Sequence, residues 1–580
     1  MKTIDQKITG DVLVIGGGLA GCLAALEAKE ALGREGRVVI VDKGFLSRSG
    51  QSPFAAGIWT FFDPDQDDMG LWLEEIVTSG EYLNDQLWCK QLFELGHVVA
   101  LKLDRWAREL GQSVFLKDEK GRMLRRQSRG HHHSRHVMIN SLPMMDTLRQ
   151  RLIQKGVEIY DRIMITDLSC NPEGMSGAAG FNYQQDTPHL FFAPAMVLAA
   201  SGSGFKATYL GHRNLTGDLQ VAAFEEGAAL TNMEQFYSNT VARDFDIHGL
   251  NLYVGVGGRF LNGLDQEFMW DYHPELGNRA PLQYLTVAFS HEVAEGRGPI
   301  HLDITRASQK DQDLCRQILP ESFRIWDRAG VSPFSAKVPW MMALRGTCAG
   351  GGGIRIDLDC QTTVKGLYAA GDICWIGPHG TYSFGGINIG FTSVSGYVAG
   401  EKAAQYRKSL GPVDETRPLE KELKERLRQR MAPLTRSGGK APEEALLLLQ
   451  EAIVPYTVSY LKSAQTLNQA LSRVSVLEKE QVPNLEVHSA HDLVKAIEVE
   501  NMIKLSRMML QASLLREESR GFHFRKEFPY TDNEHWLKRI LIKEGPEDTL
   551  ITETEEVDTP FVKPKELRSL PPGVKRVTTH

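Results

Sequence analysis

Three glycines near the start of the chain have the spacing of a phosphate-binding turn. Gly16, Gly18 and Gly21 follow a short apolar run and precede an Ala-rich stretch from 22 to 32. Such glycines let a turn approach a pyrophosphate closely, and the helix that follows offers free N–H groups and a positive dipole end. Asp42 ends the next apolar run, where an acidic side chain accepts hydrogen bonds from a dinucleotide ribose. The spacing therefore predicts a βαβ dinucleotide-binding unit rather than an unrelated Gly-rich turn.

A second glycine and carboxylate pair lies far along the chain. The apolar segment 364–370 predicts a strand that ends in Gly371 and Asp372, and another core strand predicted at 195–200 runs into Ser201. In two-part FAD folds an acidic residue in this position holds the ribityl hydroxyls, whereas a simple NAD-binding domain needs no such return. An ordinary Gly-Asp turn is the alternative for this motif alone. Together the two motifs predict an enzyme, an FAD-dependent oxidoreductase of the α/β class.

Length and composition limit the function classes. A chain of 580 residues is too long for one core, so two or three domains are expected. The net charge of -7 and the lack of a basic run argue against a nucleic-acid partner. No apolar stretch of about 18 residues is present, and the N-terminus is polar. We therefore expect a cytoplasmic protein without a membrane span, with peripheral attachment through a partner subunit left open.

Four segments resemble the flavoprotein subunit family of succinate dehydrogenase, fumarate reductase, L-aspartate oxidase and adenylylsulfate reductase. They are the loop at 47–58 and the segments 215–234, 366–388 and 518–536. They follow the family's order over residues 8–540. The resemblance implies a Rossmann-like two-part FAD-binding domain, an inserted α+β capping domain and a C-terminal helical domain.

Hydrophobic periodicity gives a similar division of the chain. It predicts helices at 70–79 and 85–110, and a helix carrying Leu419, Leu423 and Leu427 on one face. The polar stretch 118–136, with clustered His and Arg, predicts a loop and no metal site, since adjacent imidazoles seldom converge. The predicted divisions are the FAD-binding domain at 1–231 and 346–410, the capping and substrate domain at 232–345, the C-terminal helical domain at 411–545 and an extended tail at 546–580.

The resemblance also implies which residues contact FAD. Gly50 stands where succinate dehydrogenases have the His that bonds covalently to the flavin, so the FAD is expected to be non-covalent. The implied contacts are Gly16, Gly18, Ala20 and Gly21 at the phosphates, Asp42 at the ribose, Lys43, Ser47, Ser49 and Gly57 around the ring system, and Ala200, Ser201, Asp218, Asp372, Asn388 and Ile389 in the rest of the pocket.

The substrate residues of the family are changed in this chain. Leu282 and Ser383 stand at the positions of two arginines, and Cys348 stands near the position of a carboxylate-binding His. Losing two cations removes the charge-assisted pairs that a C4 dicarboxylate needs, so a different small anionic substrate is expected. The candidate catalytic residues are His379, Arg345, Arg279, Cys348, Tyr382 and Ser383.

Several functions stay open at this point. The seven cysteines are scattered without a C-x-x-C pair, so the chain is expected to hold no iron–sulfur cluster or other metal itself. We therefore expect electrons to be exchanged between the substrate and an iron–sulfur partner subunit. The alternatives are an adenylylsulfate reductase-like enzyme, a stand-alone oxidase, and a non-catalytic FAD-containing subunit of an electron-transfer complex. Arg520, His523 and Arg525 are expected to brace domains rather than to form a site.

Overall fold

Strands and helices alternate in the first third of the chain. The computed structural model describes residues 6–55, 57–128, 131–171, 174–209, 211–247, 249–382, 384–413 and 417–569. The first strands are β1 (Gln6–Thr9), β2 (Val12–Ile15), β3 (Val38–Asp42), β4 (Ile58–Thr60), β5 (Arg125–Gln127), β6 (Arg135–Met138), β7 (Glu158–Asp161), β8 (Ile163–Ser169), β9 (Ser176–Asn182), β10 (Thr187–Ala193) and β11 (Ala195–Leu198). The helices among them are α1 (Leu19–Leu32), α2 (Met69–Ser79), α3 (Gln86–Glu109) and α4 (Ser141–Lys155).

The middle of the chain contains a separate antiparallel sheet, in the strand order β13-β16-β15-β14, with short helices around it. It lies within the segment predicted as the capping domain. The elements are α5 (Asp218–Glu225), β12 (Leu230–Thr231), β13 (Tyr237–Ala242), α6 (Leu250–Gly255), β14 (Arg259–Leu261), α7 (Met269–Tyr272), α8 (Leu282–Ala294), β15 (Ile300–Asp303), α9 (Gln309–Ile318), α10 (Pro320–Ala329) and β16 (Val338–Gly346).

The last part of the chain is mainly helical and ends in short strands. No helix in the described ranges is both long and apolar enough to cross a membrane. The elements are β17 (Gly353–Ile354), β18 (Leu367–Ala369), α11 (Ile387–Ser409), α12 (Arg417–Arg430), α13 (Pro442–Ile453), α14 (Tyr456–Ser459), β19 (Leu461–Lys462), α15 (Ala464–Val476), α16 (Ala490–Leu515), β20 (Phe524–Arg525), β21 (Thr531–Asp532), β22 (Lys538–Glu544), β23 (Leu550–Glu556) and β24 (Arg568–Ser569).

A parallel sheet in the order β18-β11-β2-β3-β7 carries the glycine-rich turn. Every side chain of β2 is buried, as expected for a strand covered on both faces. β18 pairs with β11 although the whole middle of the chain separates them. The predicted return of the chain to the dinucleotide fold therefore closes one edge of the same sheet, and the carboxyl ends of β2 and β18 meet at one side.

The helical region packs along the outside of the sheets. α12 is the helix predicted from the leucine stripe, and Leu423 and Leu427 are fully buried. Leu423 lies close to Gly177 on β9, where an added Cβ would come within 2.6 Å of its Cδ1. α16 is buried along most of its length, and its buried residues include the charged Glu498 as well as apolar side chains.

Two predictions of irregular structure are wrong in part. The stretch predicted as a loop at 118–136 contains β5 and the start of β6, which pair with each other and, through β6, with β4. The predicted tail contains β23, which pairs antiparallel with β22 in the sheet β17-β12-β22-β23. Both β5 and β23 are edge strands with exposed polar side chains, so they lack the apolar alternation that marks a strand in a sequence. Residues 570–580 of the tail lie outside the described residues.

We predict that Gly21→Ala prevents stable folding. A Cβ at this position would lie 1.8 Å from the carbonyl oxygen of Gly16, so the turn and α1 must separate. Overpacking costs typically about 1–3 kcal/mol and occasionally more, and a contact this short with backbone belongs at the upper end. The yield of soluble protein and its melting temperature measure the loss. Gly255→Ala is the control, because nothing lies within 4 Å of its added Cβ. Equal stability of the two variants would contradict this account of the turn.

Candidate functional site

A large cleft runs along the carboxyl ends of β2 and β11. It contains about 1720 Å³ of space, open solvent at its mouth included. Gly21, Ser47 and Gly57 lie outside its lining, and Gly21 serves helix packing instead. The lining contains these predicted FAD contacts: Gly16, Gly18, Ala20, Asp42, Lys43, Ser49, Ala200, Ser201, Asp218, Asp372, Asn388 and Ile389.

The glycine-rich turn forms one end of the cleft. Gly16 has a φ of +117°, and an added Cβ would lie 2.4 Å from the carbonyl oxygen of Ala199, so only glycine fits. Gly18 is the N-cap of α1 and provides no side-chain cap. The Leu19 N–H donates to Ser52 Oγ at 3.0 Å. An anion at this helix N-terminus would meet N–H groups and the positive dipole end, which fits a pyrophosphate.

Asp42 stabilises the turn from the end of β3. Its carboxylate accepts hydrogen bonds from the Gly17 N–H at 2.6 Å, the Gly44 N–H at 2.7 Å and Ser49 Oγ at 3.0 Å. A carboxylate has about four lone-pair directions, so one acceptor site can still serve a ribose hydroxyl. The residue therefore shapes the turn in addition to the ligand contact that the sequence predicts.

Asp372 lies on the opposite wall, after β18. It accepts a hydrogen bond from Gln51 Nε2 at 2.7 Å. Burial raises the pKa of its carboxyl above the usual range, although Arg345 and Gln51 oppose the shift. A polar chain of hydroxyls, such as a ribityl group, would supply the donors that this carboxylate needs.

Lys43 is held by an ion pair beside the cleft. Its ammonium lies 2.7 Å from Asp218 Oδ2 and 2.9 Å from Glu498 Oε1. Burial opposes the charge, but the two carboxylates outweigh it and raise the pKa of Lys43, while that of Asp218 is lowered. Because Glu498 is on α16, this pair connects the FAD-binding part of the chain to the C-terminal helices.

The start of α11 forms the far end of the cleft. Gly386 has a φ of +100° and is its N-cap, and the Gly386 carbonyl accepts from the Thr60 N–H at 3.1 Å. An added Cβ at Gly386 would lie 2.8 Å from that nitrogen. A flat ring system can therefore approach the backbone here and meet the N-terminus of α11. A pyrophosphate site, two acidic residues and a glycine-lined ring site lie along one cleft, which is the arrangement that FAD requires.

Two of the predicted catalytic residues lie behind the wall of the cleft. His379 is buried, its Nε2 lies 2.5 Å from Asn388 Oδ1, and burial lowers its pKa to about 4. It is therefore neutral near pH 7 and positions Asn388. Cys348 is buried, and burial raises its pKa to about 12 despite the nearby Arg345, so its thiol stays protonated. Neither residue is in the cleft lining described above.

The remaining candidates are divided between cleft and surface. Arg345 and Tyr382 line the cleft. Arg279 is exposed in a short 3-10 helix, Gly277–Arg279, outside the lining. Ser383 lies outside the described residues. The geometry therefore supports two of the six candidates as groups that can touch a substrate.

Arg345 is the most unusual of these side chains. Its Nη2 donates to Gln51 Oε1 at 2.6 Å and lies 3.0 Å from His212 Nε2. Its guanidinium carbon lies 4.5 Å from the ring centre of Tyr209 and 5.0 Å from that of Tyr237. Its Nε is buried without a hydrogen-bond partner within the described ranges.

The sequence did not single out the residues around Arg345. Gln51, Tyr209 and Tyr237 line the cleft, and His212 lies directly behind them. Tyr237 lies shortly after the segment 215–234, which carries part of the family resemblance, but it was not itself named. Tyr209 and His212 lie in a segment with no motif, so no sequence signal identified them.

A buried charge network connects the C-terminal loop to the middle segment. Arg516 Nε donates to Glu234 Oε1 at 2.8 Å, and Arg520 Nε donates to Glu518 Oε1 at 2.8 Å. All four side chains are fully buried. Because Glu234 begins the middle segment, the network connects that segment to the loop after α16.

Comparison with known proteins agrees with this geometry. The model of the FAD binding domain matches residues 11–389, and that of the fumarate reductase flavoprotein C-terminal region matches residues 449–569. The chain belongs to the FAD binding domain family, and its C-terminal part is similar to that of fumarate reductase flavoproteins. It is an FAD-dependent oxidoreductase with FAD as its cofactor, so these two predictions are confirmed.

Several relatives match along nearly the whole chain. One of the subunits of the fumarate reductase (CoM/CoB) from Methanothermobacter marburgensis is 28% identical, with 93% of this chain and 98% of the relative covered. An L-aspartate oxidase from Streptomyces coelicolor is 26% identical, with 96% and 95% covered.

Solved structures show the same fold. That of E. coli quinol fumarate reductase superposes with a TM-score of 0.86 at 21% identity, covering 97% of this chain and 99% of the other. Adenylylsulfate reductase from Archaeoglobus fulgidus gives 0.79 at 18% identity, covering 96% and 97%. The predicted fold class is confirmed.

We predict that His379→Gln reduces the loss of stability on acidification. The folded-state pKa of about 4 lies below the ordinary 6.5, so the unfolded chain takes up the proton first as the pH falls. The neutral His379 imidazole therefore lowers the free energy of unfolding progressively as the pH falls below 6.5. The loss amounts to roughly 3 kcal/mol by pH 4. Melting temperatures at pH 7 and pH 5 measure the effect.

The exposed His488 provides the control for this measurement, because His488→Gln changes the same residue type at the surface. Its melting temperatures should follow those of the unmodified protein. If His379→Gln showed the same pH dependence as His488→Gln, the buried imidazole would not be neutral as described.

Proposed function

We propose that this flavoprotein exchanges two electrons between a small anionic substrate and an iron–sulfur partner subunit. One observation carries the proposal: the buried cation Arg345 faces the cleft that fits FAD and lacks a carboxylate partner in the described part of the chain. An unpaired buried charge is costly, and an anionic ligand bound beside the cofactor would neutralise it.

The cysteine distribution supports an external electron partner. The seven cysteines are free and dispersed, and their positions provide no cluster motif. Electrons that reach the flavin therefore need a carrier on another molecule. The relatives named as subunits agree with a protein that works within a complex.

The residues of the cleft would each perform one task. The turn at Gly16 and Gly18 binds the pyrophosphate, and Asp372 orients the ribityl chain. The N-terminus of α11 stabilises negative charge at the ring. FAD, when bound, would supply the two-electron chemistry, while Arg345 would orient the substrate against the ring system and the rings of Tyr209 and Tyr237 would keep water out.

Three alternatives remain to be tested against this function. The likeness in fold to adenylylsulfate reductase favours an enzyme of that kind, and the likeness to L-aspartate oxidase favours a stand-alone oxidase. A non-catalytic FAD-containing subunit would have no need for an unpaired cation in its cleft. Arg345 therefore disfavours the third alternative and leaves the first two to experiment.

We predict that the flavin is released when the protein is precipitated with acid. Gly50 lines the cleft and has no side chain to form a covalent bond. The yellow colour and the FAD absorption should therefore appear in the supernatant. Gly50→His serves as the comparison, because it restores the residue type that attaches flavin in succinate dehydrogenases. Flavin retained in the pellet of the unmodified protein would overturn the non-covalent assignment.

Electron partners can be distinguished by re-oxidation of the reduced protein. We expect a photoreduced sample to pass electrons to a bacterial ferredoxin faster than to oxygen, because the proposed partner carries an iron–sulfur cluster. Stopped-flow absorption of the flavin provides the two rates. Rapid re-oxidation in air with stoichiometric peroxide, and no transfer to ferredoxin, would instead identify a stand-alone oxidase.

A further inference from the structure

The buried arginines of this chain differ in their charge partners. Arg516 contacts the carboxylates of Glu234 and Glu518, and Arg520 contacts that of Glu518. Arg345 is 5% exposed, yet among the described residues it forms no ion pair. The carboxylate of Asp372 acts on it only through space and already accepts a hydrogen bond from Gln51. A buried guanidinium stays protonated, so its counter-charge must come from outside the chain.

The cleft provides a single uncompensated positive charge. Lys43 and Arg345 are the lysine and arginine residues that line it in the described part of the chain. Lys43 is already paired with Asp218 and Glu498. A ligand with one negative group would therefore be neutralised here, whereas a second carboxylate would remain without a cation.

A column of flat groups extends from Arg345 across the cleft wall. Tyr237 lies on one side of the guanidinium, and Tyr382 stacks on Tyr237 with ring centres 5.6 Å apart and planes at 26°. His379 stacks on Tyr382 at 4.9 Å and 15°. The ring of Tyr209 also lies against Arg345, with its centre 4.5 Å from the guanidinium carbon. This aromatic column, formed by His379, Tyr382, Tyr237, Arg345 and Tyr209, presents mostly ring surface to a ligand.

Resting on the function proposed above, we propose that the substrate is a monocarboxylate with a flat, unsaturated body. The carboxylate binds at Arg345, where the charge of the guanidinium neutralises it. The flat body packs on Tyr237 and Tyr382, where ring stacking adds to the burial of apolar surface. The ligand then lies beside Gly385 and Gly386, the backbone segment at which the ring system fits.

Leu282 and Cys348, where the resemblance places substrate-binding residues, lie outside the cleft lining and offer no second cation. Leu282, at the first position of α8, is 1% exposed and apolar. Cys348 offers a neutral thiol because burial raises its pKa to about 12. A carboxylate placed near either would lose its hydration without gaining a charged partner. The single uncompensated cation of the described cleft, Arg345, and the flat aromatic rings beside it therefore both favour a monocarboxylate with a flat body.

Binding to the FAD-loaded protein tests this directly. The probes are cinnamate, crotonate and fumarate, which present one carboxylate with a ring, one carboxylate without a ring, and two carboxylates. Changes in the visible absorption of the flavin provide each Kd. We expect cinnamate to bind roughly tenfold tighter than crotonate, since stacking accounts for about that difference. Fumarate should bind most weakly, and fumarate binding tighter than cinnamate, or no binding of cinnamate, would overturn the proposal.

Substitution of Arg345 tests the role of its charge. Arg345→Met should weaken cinnamate binding roughly tenfold to a hundredfold, as expected for a lost charged hydrogen bond, and Arg345→Lys should restore part of the affinity. Arg243→Met is the control, because Arg243 is half exposed and pairs with Asp244 at the surface. The flavin midpoint potential is measured in each variant. If Arg345→Met lowered the potential but left the cinnamate Kd unchanged, the guanidinium would serve the reduced flavin rather than the substrate.

Failure of this inference can be told apart from failure of the proposed function. If the flavin exchanges electrons with ferredoxin but prefers fumarate, only the substrate class is wrong. If the protein does not exchange electrons with ferredoxin, the proposed function is wrong, and the binding series still decides which anion the cleft prefers.

Discussion

Close packing of α1 against α11 is the constraint on which the site depends. An added Cβ at Gly396 would lie 2.5 Å from the Ala20 carbonyl oxygen, and one at Gly400 would lie 2.1 Å from that of Ala24. The two helix backbones therefore touch, which small residues alone permit. This contact fixes β18 beside β11, so that Asp372 faces the turn at the start of α1 although the middle of the chain separates them. The cleft exists because these two helices cannot move apart without losing that packing.

Much of the cofactor site could be predicted because its residues are restricted by backbone geometry. Gly16 and Gly386 have positive φ values, which favour glycine. The required residue type can therefore be recognised directly in the sequence. Three members of the aromatic column were among the candidate residues, namely His379, Tyr382 and Arg345. Tyr209 and Tyr237 were not, because no motif marks them. The strand β23 was missed for another reason: an edge strand exposes polar side chains, and its only partner among the described strands, β22, is itself weakly patterned. A periodic pattern in a sequence indicates which residues are buried in a helix or strand. Neither the aromatic column nor the edge strand β23 produces such a pattern.

Charges inside the protein join segments that the backbone leaves separate. Lys43 connects the first βαβ unit to α16 through Glu498, and Arg516 connects the start of the middle segment to the C-terminal loop through Glu234. Each cation in these pairs has a carboxylate, so each pair is close to neutral as a unit. Breaking such a pair leaves a buried charge and costs several kcal/mol, which makes the pairs effective in holding one arrangement of the domains.

Arg345, unlike these cations, has no carboxylate partner among the described residues. Because it lines the cleft, a bound anion can neutralise its charge. A site with one buried charge discriminates strongly against a ligand that leaves this charge of the protein unpaired. It also discriminates against a ligand that carries an additional charge for which the site has no partner. The family fold keeps the flavin site through glycine and backbone geometry, which tolerate few substitutions. Arg345 is under no such backbone restriction, because it lines the cleft through its side chain. Under the proposed function, selectivity is therefore decided by the buried charge that lacks a partner rather than by the fold itself.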